Sequence, residues 1–287
     1  MRTFLVLLFT TSLAYGQTQR TFVSAHTGSD ANPCGPTTPC RSFGAAMALT
    51  LSGGEIIVLD SGGYGTVTID KSVSIVSPAG VYAGVSTFSG TAITINTASL
   101  TIVLEGLTLN GLGGLIGIAQ NAAVGTLYVK RCLITGFSDT GIGLGGNGAQ
   151  LFLAETDIRN NGAYGVNALS NNRLTLDHVR IEKNGDGVAL GSGVLLDAHH
   201  SVFAANTTTG VNADTGEANL ESCLISGNVD GVKARFGTIR LSNCTITDNT
   251  NKGINGPLNP AGHIYSRQNN TIEGNAADDT PTMFAAK

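Results

Sequence analysis

Tryptophan is absent from this chain of 287 residues, charged residues make up only 13% of it, and aromatic residues only 6%. With no tryptophan and so few rings, a strong carbohydrate groove is hard to build. The 16 basic residues face 20 acidic ones, a net charge of −4. That balance argues against a nucleic-acid partner and lends no electrostatic help in holding an acidic polymer. No apolar run reaches the ~20 residues that a membrane-spanning helix requires, so no transmembrane anchor is expected. Linker-like and low-complexity stretches are also missing.

Glycine, by contrast, is plentiful at 39 residues, and it recurs at intervals. Gly117-Ile118, Gly141-Ile142, Gly165-Val166, Gly187-Val188, Gly210-Val211, Gly231-Val232 and Gly253-Ile254 follow one another at steps of 24, 24, 22, 23, 21 and 22 residues. A period in the low twenties, rich in β-formers, marks a solenoid in which each repeat is one coil. Such a chain grows by adding coils rather than cores, so one elongated domain is expected.

A second column supplies the core. Each coil reads h-x-h-x-x-h-x-h, as in Leu127/Val129/Cys132/Ile134, Leu174/Leu176/Val179/Ile181 and Ile239/Leu241/Cys244/Ile246. Alternation with period 2 is a strand with one face buried, and the slip in parity between the second and third h predicts a corner between two short strands. The Gly-Ile/Val strand then completes three strands per coil. Cys132, Cys223 and Cys244 share one inward position and are expected as buried free thiols.

Three residues after the last core position stand Asn161, Asn184, Asn206, Asn228, Asn249 and, in a degenerate last coil, Asn275. In register these would stack as an amide ladder that satisfies backbone groups freed by the turn. Asparagine also tolerates the left-handed conformation that such a corner needs.

With these columns in view, the chain resembles the right-handed parallel β-helix repeat proteins of the pectin-lyase-like superfamily. The stretch from Thr21 to Ile75 is similar to the start of an exported bacterial group of that superfamily. The resemblance spans about residues 21–275 and implies an all-β, right-handed parallel β-helix with about 21–25 residues per coil. The superfamily includes polysaccharide lyases, polygalacturonases, epimerases, phage tailspikes and proteins of no known activity, so it does not select a reaction. Its lyases hold calcium with acidic residues from neighbouring coils, whereas Asp157, Asp177 and Asp197 here fall in three different columns. No metal or cofactor motif is expected.

Residues 1–16 read as a signal peptide: Arg2, an apolar run from Phe4 to Leu13, and small residues before a cleavage point. Residues 17–52 read as an N-terminal cap, 53–275 as the β-helix and 276–287 as a loose C-terminal tail. Within the cap, Cys34 and Cys40 flank a two-proline loop and should pair in an oxidising compartment. A zinc half-site is the rival reading, disfavoured because no second Cys/His pair lies nearby. Ser42 before Phe43-Gly44-Ala45-Ala46-Met47-Ala48-Leu49 predicts a short capped helix that covers the open end. Residues 54–59, 66–76 and 91–96 read as early strands.

Outward positions carry whatever chemistry there is. Aligned on the last core residue, one column reads Arg131, Glu155, His178, His200, Ser222, Asn243, and the column before it Lys130, Ala154, Asp177, His199, Glu221, Ser242. Glu155, Asp177, His178, His199, His200 and Glu221 thus gather at one corner. Imidazoles beside carboxylates serve as general acid and base or bind a divalent metal. Glu155 with His178 and His199 with Glu221 are placed to pair, and a solvated polar corner is the bland alternative. Asp157 with Arg180 and Arg159 with Glu182 form a checkerboard expected to give salt bridges between coils. Tyr128 over Phe152 is an outward aromatic pair, a candidate sugar-stacking ledge or a plain cross-strand contact.

These features predict an exported scaffold or surface protein in contact with polysaccharide, monomeric, located in the periplasm or outside the cell. A carbohydrate-active enzyme, lyase or hydrolase, using the histidine-carboxylate corner is the alternative. A trimeric phage-like or adhesin module is a third class.

Overall fold

In the computed structural model, residues 16–256 and 262–283 are described. The expected signal peptide lies almost wholly outside them. The chain winds as a right-handed parallel β-helix of about nine turns. Among the described residues the strands form three parallel sheets of 12, 10 and 9 strands. A typical coil runs from Arg173–Asp177 on the twelve-stranded sheet, through Arg180–Glu182 on the ten-stranded sheet, to Asp186–Ser192 on the nine-stranded sheet. Among the described residues no helix is long and apolar enough to cross a membrane.

The core is the column read from the sequence. Leu174, Leu176, Val179, Ile181 and Val188 are all at most 1% exposed, and equivalent residues line every coil. Strand neighbours match residue for residue: Leu151 pairs with Leu174, Ile158 with Ile181, Val166 with Val188. Cys132, Cys223 and Cys244 are buried and free, with burial pushing the Cys132 thiol up to about 12. Thr156 and Ser201 occupy the same inward column. Their hydroxyls donate to the carbonyls of Ala154 and His199 at 2.8 and 2.7 Å, so these two polar members of the column are satisfied.

Two corners recur in each coil, and both use left-handed backbone. Between the first two strands the turn residue is Arg131, Glu155, His178, His200, Ser222 or Asn243, with φ between 47 and 54°. This single left-handed residue is what shifts the parity of the pattern. At the second corner the sequence-based expectation needs correction. The left-handed residue is not the ladder asparagine but the one before it: Asn160, Lys183, Ala205, Gly227, Asp248 or Gly274. The ladder asparagine is instead committed to hydrogen bonds. Asn184 Nδ2 donates to Asn206 Oδ1 at 3.2 Å and to the Ile158 carbonyl at 3.2 Å, while its backbone N–H donates to the same Asn206 Oδ1 at 3.0 Å. The pattern continues unbroken from Asn161 to Asn275.

The ends differ from expectation in detail. The solenoid begins before residue 53, because Thr18–Val23 pairs in parallel with Thr50–Val58 as the first strand of the twelve-stranded sheet. Residues 66–76 are two strands, Val67–Ile69 and Val73–Val76, on different sheets, and Ala83–Thr87 is a strand that the pattern did not reveal. The helix Phe43–Leu49 forms as predicted, with Ser42 Oγ accepting from the Ala45 N–H. Phe43 stacks on buried Tyr64 at 5.1 Å, and Cys34 is disulfide-bonded to Cys40. Up to residue 283 the tail is tied rather than loose: Asp279 accepts from Lys252 Nζ at 2.7 Å, Asp278 accepts from the Ile254 N–H at 2.9 Å, and Thr282–Met283 adds a strand beside His263–Ser266.

Candidate functional site

The twelve-stranded sheet turns one face outward, and the strand register builds its columns. Tyr128, Phe152, Thr175, Asp197, Asn219, Arg240 and Tyr265 succeed one another on adjacent strands. Tyr128 and Phe152 stack with ring centroids 4.8 Å apart and planes inclined by 14°. Tyr128 is 40% exposed, so the pair is an apolar ledge on a polar face. At the far end Tyr265 stacks with His263 at 5.5 Å. Between the two ledges, Asp197 accepts from Asn219 Nδ2 at 2.7 Å, and Arg240 donates to Glu217 and Asn219 at 2.8 and 3.3 Å.

The next column lies at the edge of that face, where the first corner begins. Asp177 and His199 are register partners, as are His199 and Glu221. His178 and His200 stand on the left-handed turn just beyond, one coil apart, with rings stacked at 5.0 Å and inclined by 22°. His178 Nδ1 lies 2.9 Å from Asp177 Oδ1, and His200 Nδ1 lies 3.5 Å from the same oxygen. Burial acts to raise the Asp177 carboxyl, but the hydrogen bonds and charge of His178 and His200 outweigh it and hold the group below the usual carboxylate range.

The six residues expected at this corner therefore divide. Asp177, His178 and His200 form a compact trio. His199 and Glu221 approach only to 3.8 Å. Glu155, placed by the register to meet His178, turns to Lys130 at 3.8 Å instead. The charge checkerboard also rearranges. Asp157 opposes Arg180 and Arg159 opposes Glu182 in register, yet the ion pair that forms is Arg180 with Glu182 along one strand. Residues two apart in a strand share a face, and here that contact wins over the neighbour across the coil.

A further concavity was not read from the sequence. An open cleft of about 370 Å³ on the side of the nine-stranded sheet is lined by Tyr164, Asp186, Thr208, Thr209, Asn212 and Lys233, among others. Asp186 is held there by Thr208 Oγ1, the Thr209 N–H at 3.1 Å and Asn212 Nδ2 at 2.9 Å. The register of Tyr164 with Asp186 was the available signal, but a lone aspartate beside threonines carries no motif.

Calcium chemistry of the lyase kind does not fit these residues. Asp197 is taken by Asn219, Asp157 lies on a different sheet, and Asp177 is joined by two imidazoles. A hard cation prefers an oxygen cage.

Residues 113–277 match the family described as the right handed beta helix region. No curated protein matches the chain in sequence. Among solved structures, pectate lyase Pel9A superposes with a TM-score of 0.70 at 17% identity, covering 95% of this chain and 82% of its own. XylC in complex with xylose superposes at 0.62 with 7% identity, covering 88% and 70%. An alginate lyase from Paenibacillus sp. str. FPU-7 superposes at 0.57 with 13% identity, covering 94% and 99%. At such identities the likeness is one of fold.

Proposed function

The chain belongs to the right-handed β-helix family, and from that premise we propose that it is an exported, non-catalytic scaffold that contacts polysaccharide along the outer face of its twelve-stranded sheet. The observation that carries this reading is the Tyr128–Phe152 stack, an exposed aromatic ledge on a face otherwise lined by hydrogen-bonding side chains. Aromatic rings supply the apolar platform for a sugar ring, and the polar column beyond them supplies donors and acceptors. The names of the similar structures, a pectate lyase, an alginate lyase and a xylose complex, support a carbohydrate-related role. The leader-like start and the Cys34–Cys40 disulfide support export. With a net charge of −4, contact rests on stacking and hydrogen bonds rather than on charge.

The setting of the histidine corner supports a non-catalytic role. Asp177, His178 and His200 have side-chain exposures of 54%, 62% and 58%. A general base standing in open water has no walls to hold a substrate or to expel solvent. The 2.9 Å Asp177–His178 contact is the one observation that favours the second reading, a carbohydrate-active enzyme.

Both readings are tested by incubating the protein with insoluble neutral and acidic polysaccharides, with and without calcium. The expected result is retention on at least one polymer with no release of unsaturated or reducing ends. Ends released by the parent protein and lost in Asp177→Asn would establish the enzyme instead. Absence of both retention and release across the panel would remove polysaccharide from the account.

A further inference from the structure

We propose that Asp177, His178 and His200 form a binding site for a borderline-soft divalent metal ion of the Zn²⁺ type. The proposal stands apart from the sugar-contact reading, since neither Tyr128 nor Phe152 enters it.

The donor set selects the ion class. One carboxylate oxygen and two imidazole nitrogens suit zinc and its neighbours in the first transition row, while calcium and magnesium ask for six or more oxygens. The spacing fits the same class. Asp177 Oδ1 lies 2.9 Å from His178 Nδ1 and 3.5 Å from His200 Nδ1, and one donor atom from each of the three residues lies within 4.8 Å of the others. Metal–ligand bonds of about 2.0–2.1 Å in a tetrahedron separate donors by roughly 3.3 Å. Modest rotation of exposed side chains closes the difference.

The backbone beneath is fixed by the solenoid. His178 and His200 occupy the same left-handed turn on successive coils, with φ of 53 and 47°. The His178 N–H donates to the His199 carbonyl at 3.3 Å and the His200 N–H to the Glu221 carbonyl at 3.2 Å, so the coil-to-coil ladder runs directly under both rings. Asp177 closes the strand Arg173–Asp177, which pairs with Leu195–His199. The three side chains therefore spring from rigid positions, as a preorganised site requires.

Among the described residues no lysine or arginine pairs with the carboxylate. The neighbouring bases are committed elsewhere, Lys130 to Glu155 and Arg180 to Glu182, and the ion pairs of Asp177 among the described residues are with His178 and His200. The exposure of all three side chains gives an arriving ion an open path. Three protein ligands leave a coordination position for water or an external ligand.

The test is Zn²⁺ binding to the folded chain by equilibrium dialysis, with Co²⁺ absorption as a second signal for nitrogen-oxygen coordination. Asparagine is the replacement of choice, because Asn243 already occupies the same left-handed position two turns beyond His200. The expected result is one Zn²⁺ per chain, displaced by Co²⁺ and not by Ca²⁺ or Mg²⁺. A His178→Asn, His200→Asn double variant with an unchanged circular dichroism spectrum should bind more than about tenfold more weakly, since even outer-shell partners of a metal are worth about 10–100-fold. His263→Asn should bind as the parent does. Zn²⁺ binding that is absent from the parent, or unaltered in the folded double variant, would overturn the proposal.

Discussion

At the scale of single residues, the asparagine column has the clearest energetic consequence. Asn206 accepts from both the backbone N–H and the Nδ2 of Asn184, and donates to Asn228 Oδ1 and the Ile181 carbonyl, all in a buried corner. Asn206→Ala would leave several of these groups unsatisfied at once, a cost of roughly 3–5 kcal/mol when each orphan costs about 1–3. Asn275→Ala, at the half-exposed end of the ladder, should cost about 1 kcal/mol because water replaces what is lost. Thermal unfolding of the two variants checks this, and equal losses would mean that the ladder is not cooperative with the core. The ladder was legible because its residue type repeats in one column. The left-handed residue before it was not, because Asn160, Lys183, Ala205, Gly227 and Asp248 share a backbone conformation and no side-chain chemistry. The Asp177–His178–His200 trio was legible as a gathering but not as a geometry. Register fixes which residues are neighbours, whereas rotamers decide that His178 meets Asp177 rather than Glu155.

At the scale of elements, the N-terminal cap is held by one carboxylate. Asp60 accepts from Ser24 Oγ at 2.5 Å, the Ala25 N–H at 2.6 Å and Tyr64 OH at 2.7 Å, joining the first strand to the residue under the helix. Burial acts to raise this carboxyl, but these bonds prevail and lower it to about 2. A carboxyl whose folded pKa lies below its unfolded value, about 3.9, stabilises the fold above that value and ceases to do so as pH falls through about 2. Asp60→Asn should therefore cost about 1–3 kcal/mol at neutral pH. Chemical denaturation across pH should show the gap between variant and parent narrowing from about pH 4 down to 2. A gap independent of pH would assign the effect to packing alone. The sequence foretold the helix and the disulfide of this cap but not the strand Thr18–Val23, since a single strand ahead of the repeats has no periodic partner to align with. Ala83–Thr87 escaped for a related reason. Its Ala-Gly-Val core is small, and Tyr82 beside it is exposed.

At the scale of the whole molecule, repetition explains both what was readable and what was not. Each coil needs the same inward residues, so the core column, the coil length and the inward cysteines could be aligned without reference to any structure. Outward residues answer to no such constraint, and their function depends on which coils they occupy and which way they turn. A fold shared with pectate lyase Pel9A, at 17% identity, fixes where the columns run and not what they hold. The proposed role thus rests on one feature of the outer face, the aromatic ledge at Tyr128 and Phe152. Affinity electrophoresis through gels that contain the retained polysaccharide measures that feature directly, comparing the parent with a Tyr128→Ala, Phe152→Ala variant of unchanged circular dichroism. The expected result is marked retardation of the parent, little affected by added salt, and free migration of the variant, since the double substitution removes the apolar platform on which a sugar ring would stack. Equal retardation of parent and variant would contradict the account.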